Sequence, residues 1–401
     1  MLYNLLLVKR VIEDICMFPF ILWGRLLAKL KPLNKTYDIF FIMPFYHVGG
    51  AEKVHGEIIQ QFPGKRIKLY FTKHSHNEAL LHLFKAPNID IEIIAKYSDN
   101  KLLYFLSFIY RGKISGYINA QCTPTVVFNG QSNFGYKLSP WVKKSVPQIE
   151  LIHSLCNFSY IRLPFIQFYK RSVTVSKAER QKHIDIYRRY NVPAHFDDRF
   201  IYIDLAINLP LVRPVKQVHK PLTVLYVGRA TAEKRPAIVA EIAAAVHEKA
   251  PDVRFQFMGD VTGAISATLL PHCELLGNIG HADKIAEIYS QADIIVIPSA
   301  TESGPLVFME GMAYGLAVLA TPVGMMPEHF SQVHFGELFS SVSHVATIVA
   351  EAKQYILHYN EDPSLLQSIG NQNIQYAFQH FGMERLHQAY QNLVNNITEV
   401  S

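Results

Sequence analysis

From Asp38 onward, short apolar runs alternate with stretches of helical spacing. DIFFIMP (38–44), IKLYF (67–71), IEII (91–94), TVVFN (125–129), IELIH (149–153) and SVTVS (172–176) are runs of strand length. Strands that are apolar on both faces mark a parallel sheet covered by helices. Between them, the stretch from Ala51, AEKVHGEIIQQF, and KLLYFLSFIYRGK (101–113) have helical character, the second reading as a core helix with a basic end. A second series follows NLPLVRPVKQVHKP (208–221), whose prolines and cations read as a linker. Its strands are LTVLYVG (222–228), RFQFMG (254–259), DIIVIP (293–298) and LAVLAT (316–321). Its helices are PAIVAEIAAAVHEK, a segment ending near DKIAEIYSQA, PLVFMEGMAY and the closing MERLHQAYQNLVNNI (383–397). The pattern predicts an α/β chain of two Rossmann-like domains, 36–207 and 222–380, joined by 208–221. An apolar and basic segment, 1–35, precedes them, and a helical segment, 381–401, closes the chain.

Composition agrees with two folded cores. The chain has 401 residues, 49% hydrophobic and 18% charged, too long for one core and too apolar for disorder. Its four cysteines, at 16, 122, 156 and 273, form no CxxC pair or metal-finger spacing, which suits reduced thiols in a cytoplasmic setting. Charge is divided unevenly. Residues 1–220 hold 31 Lys and Arg against 15 Asp and Glu, whereas residues 221–401 hold 8 against 18. The basic half favours an anionic partner: a membrane face, a phosphorylated acceptor or a nucleic acid.

The first 32 residues are apolar but interrupted. The longest uncharged run there, Ile15 to Gly24, is ten residues, where a spanning helix needs about 20. Lys9 and Arg10 follow the first apolar run instead of preceding it, unlike a secretory signal. Arg25, Lys29 and Lys31 beside Trp23, Leu26, Leu27 and Leu30 suit peripheral contact with an anionic membrane, on its cytoplasmic face. Docking of this segment on the protein's own body is the alternative.

The sharpest chemical signal lies in IPSATESGPLVFMEGMAYGLAVLATPVG (297–324). Glu302 precedes a Gly-Pro step and Glu310 comes eight positions later, both among apolar residues where an unpaired carboxylate is costly. Pro305 suits the first turn of a helix and Gly315 its left-handed stop. A helix starting at the carboxyl end of a parallel strand offers N–H groups and a positive dipole end to phosphate. A carboxylate within that helix can accept two hydroxyl hydrogen bonds from a ribose.

Glu302, Pro305, Glu310, Gly311-Met312-Ala313, Gly315 and the Thr-Pro-x-Gly turn together resemble the E-x7-E signature of retaining GT-B glycosyltransferases, glycosyltransferase family 4. The similarity extends from about residue 38 to the end and is strongest over 222–330. It implies two Rossmann-like domains with parallel sheets facing an interdomain cleft, and a final helix that crosses back to the first domain. It implies transfer of a sugar from a UDP- or GDP-sugar to an acceptor hydroxyl with retained configuration. Glu302 then lies near the donor sugar and phosphates, and Glu310 holds the ribose. Gly304, Leu306 and Val307 line the phosphate-binding amino end of the helix. The usual Glu-Ala-Met reads Glu310-Gly311-Met312 here.

The same likeness assigns Gly228-Arg229 and Lys234 to the family's G-R-x4-K, two cations that stabilise the departing diphosphate. No DxD pair follows a strand, and Asp197-Asp198 falls in a polar, exposed stretch, so the expectation is catalysis without a metal or other cofactor. Gly49 and Gly50 match the family's first-loop glycines, with Glu52 behind them, and His153 its histidine near the transferred sugar. Lys177 falls in the segment resembling the family's "vSk", and Gly277-Asn278-Ile279-Gly280 where the family's base-contacting loop lies. Closure about 208–221 would bring Gly49, Gly50 and His153 against Arg229, Lys234 and Glu302. The acceptor expected is a glycan or lipid-linked glycan of surface polysaccharide assembly. A GT-B sugar-nucleotide epimerase is the alternative. A basic nucleic-acid binder is disfavoured, since no zinc-ligand spacing, helix-turn-helix pattern or aromatic RNP-like run is present.

Overall fold

The computed structural model describes residues 2–47, 49–100, 103–331 and 334–399. The chain divides into two compact units, Met1–Ile203 with Leu386–Ser401, and Asp204–Arg385.

The first unit begins with α1 (Leu2–Leu30) and then runs β1 (Ile39–Met43), α2 (Gly50–Gln60), β2 (Ile67–Phe71), β3 (Ile89–Ile93), α3 (Ala95–Ser98) and α4 (Tyr104–Asn119). It continues with β4 (Val126–Asn129), α5 (Asn133–Leu138), β5 (Gln148–Ile152), α6 (Asn157–Ile161), β6 (Arg171–Thr174), α7 (Lys177–Tyr190) and β7 (Phe200–Tyr202). The seven strands are all parallel in the order β3-β2-β1-β4-β5-β6-β7. The apolar runs behave as expected: every residue of β1, β2 and β5 is buried. One buried ion pair enters this core, held by several hydrogen bonds. Glu150 on β5 takes Arg162 in a two-pronged pair and also accepts from Ser172, while Arg162 donates to the Tyr187 hydroxyl at 2.8 Å.

The second unit contains β8 (Thr223–Val227), α8 (Pro236–His247), β9 (Arg254–Met258), β10 (Glu274–Gly277), α9 (Ala282–Gln291), β11 (Ile294–Ile297) and α10 (Leu306–Ala313). After these come β12 (Ala317–Ala320), α11 (Met326–Phe330), β13 (Gly336–Leu338), α12 (Val345–Glu361), α13 (Pro363–His380) and α14 (Met383–Glu399). α14 starts in this unit, and its residues from Leu386 cluster with the first. The six strands are parallel in the order β10-β9-β8-β11-β12-β13. Numbered within the unit this is 3-2-1-4-5-6, the order of a dinucleotide-binding sheet, whose topological switch point lies between β8 and β11. Ligands of such sheets bind outside the carboxyl ends of the strands flanking that point.

Three short strands escaped the apolar-run reading: β7, β10 and β13. All are sheet edges, and β10 is half-exposed, so no continuous apolar run is required of them. The stretch 208–221 also departs from a solvated linker. Lys216 is buried and donates to Asp293 Oδ1 at 2.9 Å and to Ala292 O at 2.7 Å. Asp293 also accepts from the Thr223 and His219 amides, fixing 216–223 to the start of β11. Lys216 is one of the cations that read as a linker, and its partner is 77 residues away in sequence.

Candidate functional site

In the second unit, the loops after β8, β11 and β12 meet at the carboxyl ends of their strands. The β8 loop carries Arg229 and Lys234. It is held by Arg235, whose left-handed backbone (φ +50°) turns its side chain to donate to Pro298 O and Val342 O, both at 2.6 Å. The β11 loop carries Glu302 and is tied to the first loop by the Ala300 amide, which donates to Glu233 O at 2.8 Å. From β12, the Thr321 hydroxyl donates to Ser299 O at 2.6 Å. Gly324 has φ +64°, and a Cβ there would lie 2.9 Å from Ser303 O, so the Thr-Pro-x-Gly turn needs glycine to pack on the Glu302 backbone.

The result is an ion pair. Lys234 Nζ donates to Glu302 Oε1 at 2.5 Å, and the Glu302 side chain is only 9% exposed. Arg229 projects beside it with its side chain 66% exposed, 3.8 Å from Glu233. Tyr226 lies beneath all three. Its hydroxyl reaches Arg229 O and Lys234 O at 3.3 and 3.5 Å. Burial first, then the Glu302 charge, push this phenol's pKa up, while Arg229 opposes them. An ammonium has three donors, so Lys234 can keep Glu302 and still meet a phosphate.

Pro305 caps α10 one residue ahead of its first helical position, so the helix begins at Leu306 and not at Pro305 as expected. The amides of Leu306 and Val307 therefore fall in the first turn, whose N–H groups lack intrahelical partners. Gly304 packs against Leu205 and Met325, where a Cβ would come within 2.6 Å of Leu205 Cδ1. One and a half turns on, Glu310 Oε2 accepts from the Tyr289 hydroxyl of α9 at 2.9 Å. The Tyr289 and Tyr314 rings stack at 5.5 Å on that side. Gly311 faces β11, where a Cβ would stand 3.0 Å from Ile295 Cγ2, which gives a packing reason for glycine in place of alanine. Gly315 ends the helix at φ +75° as expected. Ile279 lies just beyond β10, half-buried, with Gly277 in the left-handed region.

The remaining candidates lie in the first unit. Gly49 caps α2 and Gly50 opens it, and the Glu52 carboxylate folds back so closely that a Cβ at Gly49 would strike it. His47 Nε2 stands 4.0 Å from Glu52 Oε1. α2 also carries His55, a residue that motif reasoning missed. His55 Nε2 and His153 Nε2 are 2.7 Å apart, so one ring donates and the other accepts. The His153 amide donates to Gln131 Oε1 at 3.2 Å. Burial, then the His153 ring, hold His55 well below its usual pKa; burial lowers His153 to about 4. Both are neutral at pH 7. The signal for His55 was a polar residue on the buried face of a helix opened by Gly-Gly. Lys177 starts α7, capped by the Ser176 hydroxyl.

Asp197 departs from its expected exposure: it is half-buried and paired with Arg188, while Asp198 is exposed. Among the described residues, no three of His, Cys, Asp and Glu gather where they could hold one metal ion. In the second unit the structure thus brings Arg229, Lys234 and Glu302 together around Tyr226, and in the first it brings the Gly49-Gly50 helix to His153.

Residues 212–374 match the family described as glycosyl transferases group 1. The D-inositol 3-phosphate glycosyltransferase of Corynebacterium diphtheriae is 29% identical over 165 residues, 38% of this chain and 37% of that protein. The sulfoquinovosyl transferase SQD2 of Arabidopsis thaliana is 32% identical over 139 residues, 33% of this chain and 25% of that protein. The chain thus spans well under half the length of these curated relatives. Among solved structures, Anabaena HepE in complex with UDP-glucose superposes with a TM-score of 0.68 at 16% identity, covering 90% of this chain and 100% of that one. At that identity the likeness establishes the fold.

Proposed function

This is a GT-B chain with a glycosyl transferases group 1 match over residues 212–374, and from that premise we propose that it transfers a sugar from a nucleotide-sugar donor to an acceptor hydroxyl with retained configuration. The observation that carries the reading is the Lys234–Glu302 pair, set at the switch point between β8 and β11 beside the amino end of α10.

A nucleoside diphosphate gains negative charge as the glycosidic bond breaks. Lys234, already held in place, and the exposed Arg229 meet that charge, with the Leu306 and Val307 amides completing the cradle. Preorganised donors cost little reorganisation at the moment of bond cleavage. Glu310, oriented by Tyr289, accepts the ribose hydroxyls, and Ile279 borders the base. Glu302 faces the sugar and keeps Lys234 on the phosphates. Gly49, Gly50 and the neutral His153 serve the sugar and acceptor side from the first unit. Residue-borne cations make the reaction independent of a metal in this proposal. The donor is a UDP- or GDP-sugar, and a glycan or lipid-linked glycan suits the basic half as acceptor.

Incubation with UDP- and GDP-sugars and candidate acceptors, with and without EDTA, tests this. NMR of the product should show a new glycoside with the donor's anomeric configuration, at equal rates in both conditions. An inverted product, loss of rate in EDTA, or conversion of the donor itself with no acceptor used would each overturn part of the proposal.

A further inference from the structure

α1 lies along the first unit, but only one side of it is used for packing. Tyr3, Met17, Ile21, Gly24 and Ala28 are buried, and the helix crosses α4 at a seam of small residues. A Cβ at Gly24 would strike Ile109 O, one at Gly112 would strike Ile21 O, and one at Gly116 would stand 2.8 Å from the Ala28 Cβ. This seam leaves the docked helix little freedom to leave the body.

The opposite side should then be polar, as on an ordinary surface helix. It is not. Val8, Ile12, Ile15, Leu22, Trp23 and Leu26 are all exposed, Ile15 at 67% and Trp23 at 56%. Exposed Tyr104 and Phe105 of the neighbouring α4 add to the apolar surface. From Val8 to Leu26 the stripe runs about 27 Å along the helix, a continuous apolar patch of the kind that marks an interaction site. Among the described residues no helix is long and apolar enough to cross a membrane.

Charge indicates what covers it. The acids of α1 are engaged on its flanks: Glu13 near Lys9 and Lys137, and Asp14 near Arg10. Lys9, Lys29 and Lys31 are exposed. Arg10 is instead turned toward the body, its Nε 3.6 Å from Asp14 Oδ2 and its guanidinium over the Phe168 ring. Exposed lysines flanking an apolar stripe suit an anionic surface.

We infer that the outer face of α1 is a docking surface for an anionic phospholipid bilayer, with the helix lying in the interface plane and Lys9 and Lys29 on its flanks toward the headgroups. Apolar area and cations together are what interfacial helices use. This inference does not depend on the transfer reaction. The segment thus combines both sequence-level alternatives, docking on the body with one side and presenting the other.

The test is co-sedimentation of the full chain with phosphatidylcholine vesicles, with and without phosphatidylglycerol. Wild type should bind the anionic vesicles best. The triple variant Ile15→Gln, Leu22→Gln, Leu26→Gln should lose on the order of 100-fold in partition while keeping its melting temperature. Lys9→Gln with Lys29→Gln should reduce the preference for phosphatidylglycerol and retain weak binding. In a Trp141→Phe background, Trp23 is the sole tryptophan, and its emission should shift to the blue on adding vesicles. Equal partition of wild type and triple variant, or no Trp23 shift, would overturn the inference. So would a vesicle-free dimer that the triple variant abolishes while wild type ignores vesicles, since the face would then join two copies of the chain.

Discussion

At the scale of residues, two carboxylates eight apart have different partners, and the proposal gives them different tasks. Half-buried Glu302 is paired with a lysine, and half-buried Glu310 with a phenol. The Tyr289 ring is buried, and burial, then the Glu310 charge and hydrogen bond, push its pKa well up, so it stays a neutral donor at any ordinary pH. In the proposed mechanism it orients the ribose-binding carboxylate without touching the phosphates. Tyr289→Phe should therefore raise the donor KM roughly three- to tenfold with little change in kcat. Lys234→Ala, by contrast, should lower kcat on the order of 10²–10³-fold. Steady-state kinetics separates these outcomes, and an unchanged KM in the tyrosine variant would remove its assigned role. Glu302, Glu310, Arg229 and Lys234 became candidates through the family resemblance, since two glutamates eight apart say little by spacing alone. Tyr226, Tyr289 and His55 were not legible. They are core-like residues whose polar ends meet the candidates only after folding.

Among the elements, continuous apolar runs identified the central strands, and edge position hid β7, β10 and β13. The pair α12–α13 also went unassigned, though its boundary had a signal. Asp362 accepts from the Ser364 and Leu365 amides at 3.1 Å, with Pro363 at the first helical position, the usual chemistry of a helix start. Burial leaves another mark on the first unit. His55, His153 and His183 are all held below the usual 6.5, the last two at about 4, mainly by burial. Each is depressed in the folded state, so the unfolded chain binds more protons between about pH 6.5 and 4. The stability associated with keeping them neutral is complete above 6.5 and is lost as pH falls through that window. Thermal unfolding of the full chain should show a falling midpoint across it. His153→Gln with His183→Gln should flatten the fall relative to wild type, which separates the histidines from carboxylates titrating nearby. A midpoint that rises on acidification, or an unaltered slope in the variant, would be incompatible with this assignment.

For the molecule as a whole, two sheets share the order 3-2-1-4-5-6, the first extended by β7. Each places its candidate residues beyond strand carboxyl ends. Cations dominate residues 1–220 and acids the remainder. That imbalance was visible in the sequence, as was the alternation that produced two sheets. The burial of Lys216 against Asp293 was not, because a charge far from its partner in sequence carries no sign of being paired. The central claim is that a nucleotide-sugar diphosphate sits at the β8–β11 switch point, with Lys234 on the phosphates and Glu310 on the ribose. Isothermal titration of wild type, Lys234→Ala and Glu310→Ala with UDP- and GDP-sugars measures this most directly. The account predicts one-to-one binding of a donor by wild type, weakened at least about tenfold in each variant, a loss of roughly 1.4 kcal/mol. Wild type that binds no nucleotide sugar, or variants that bind it as well as wild type, would contradict it.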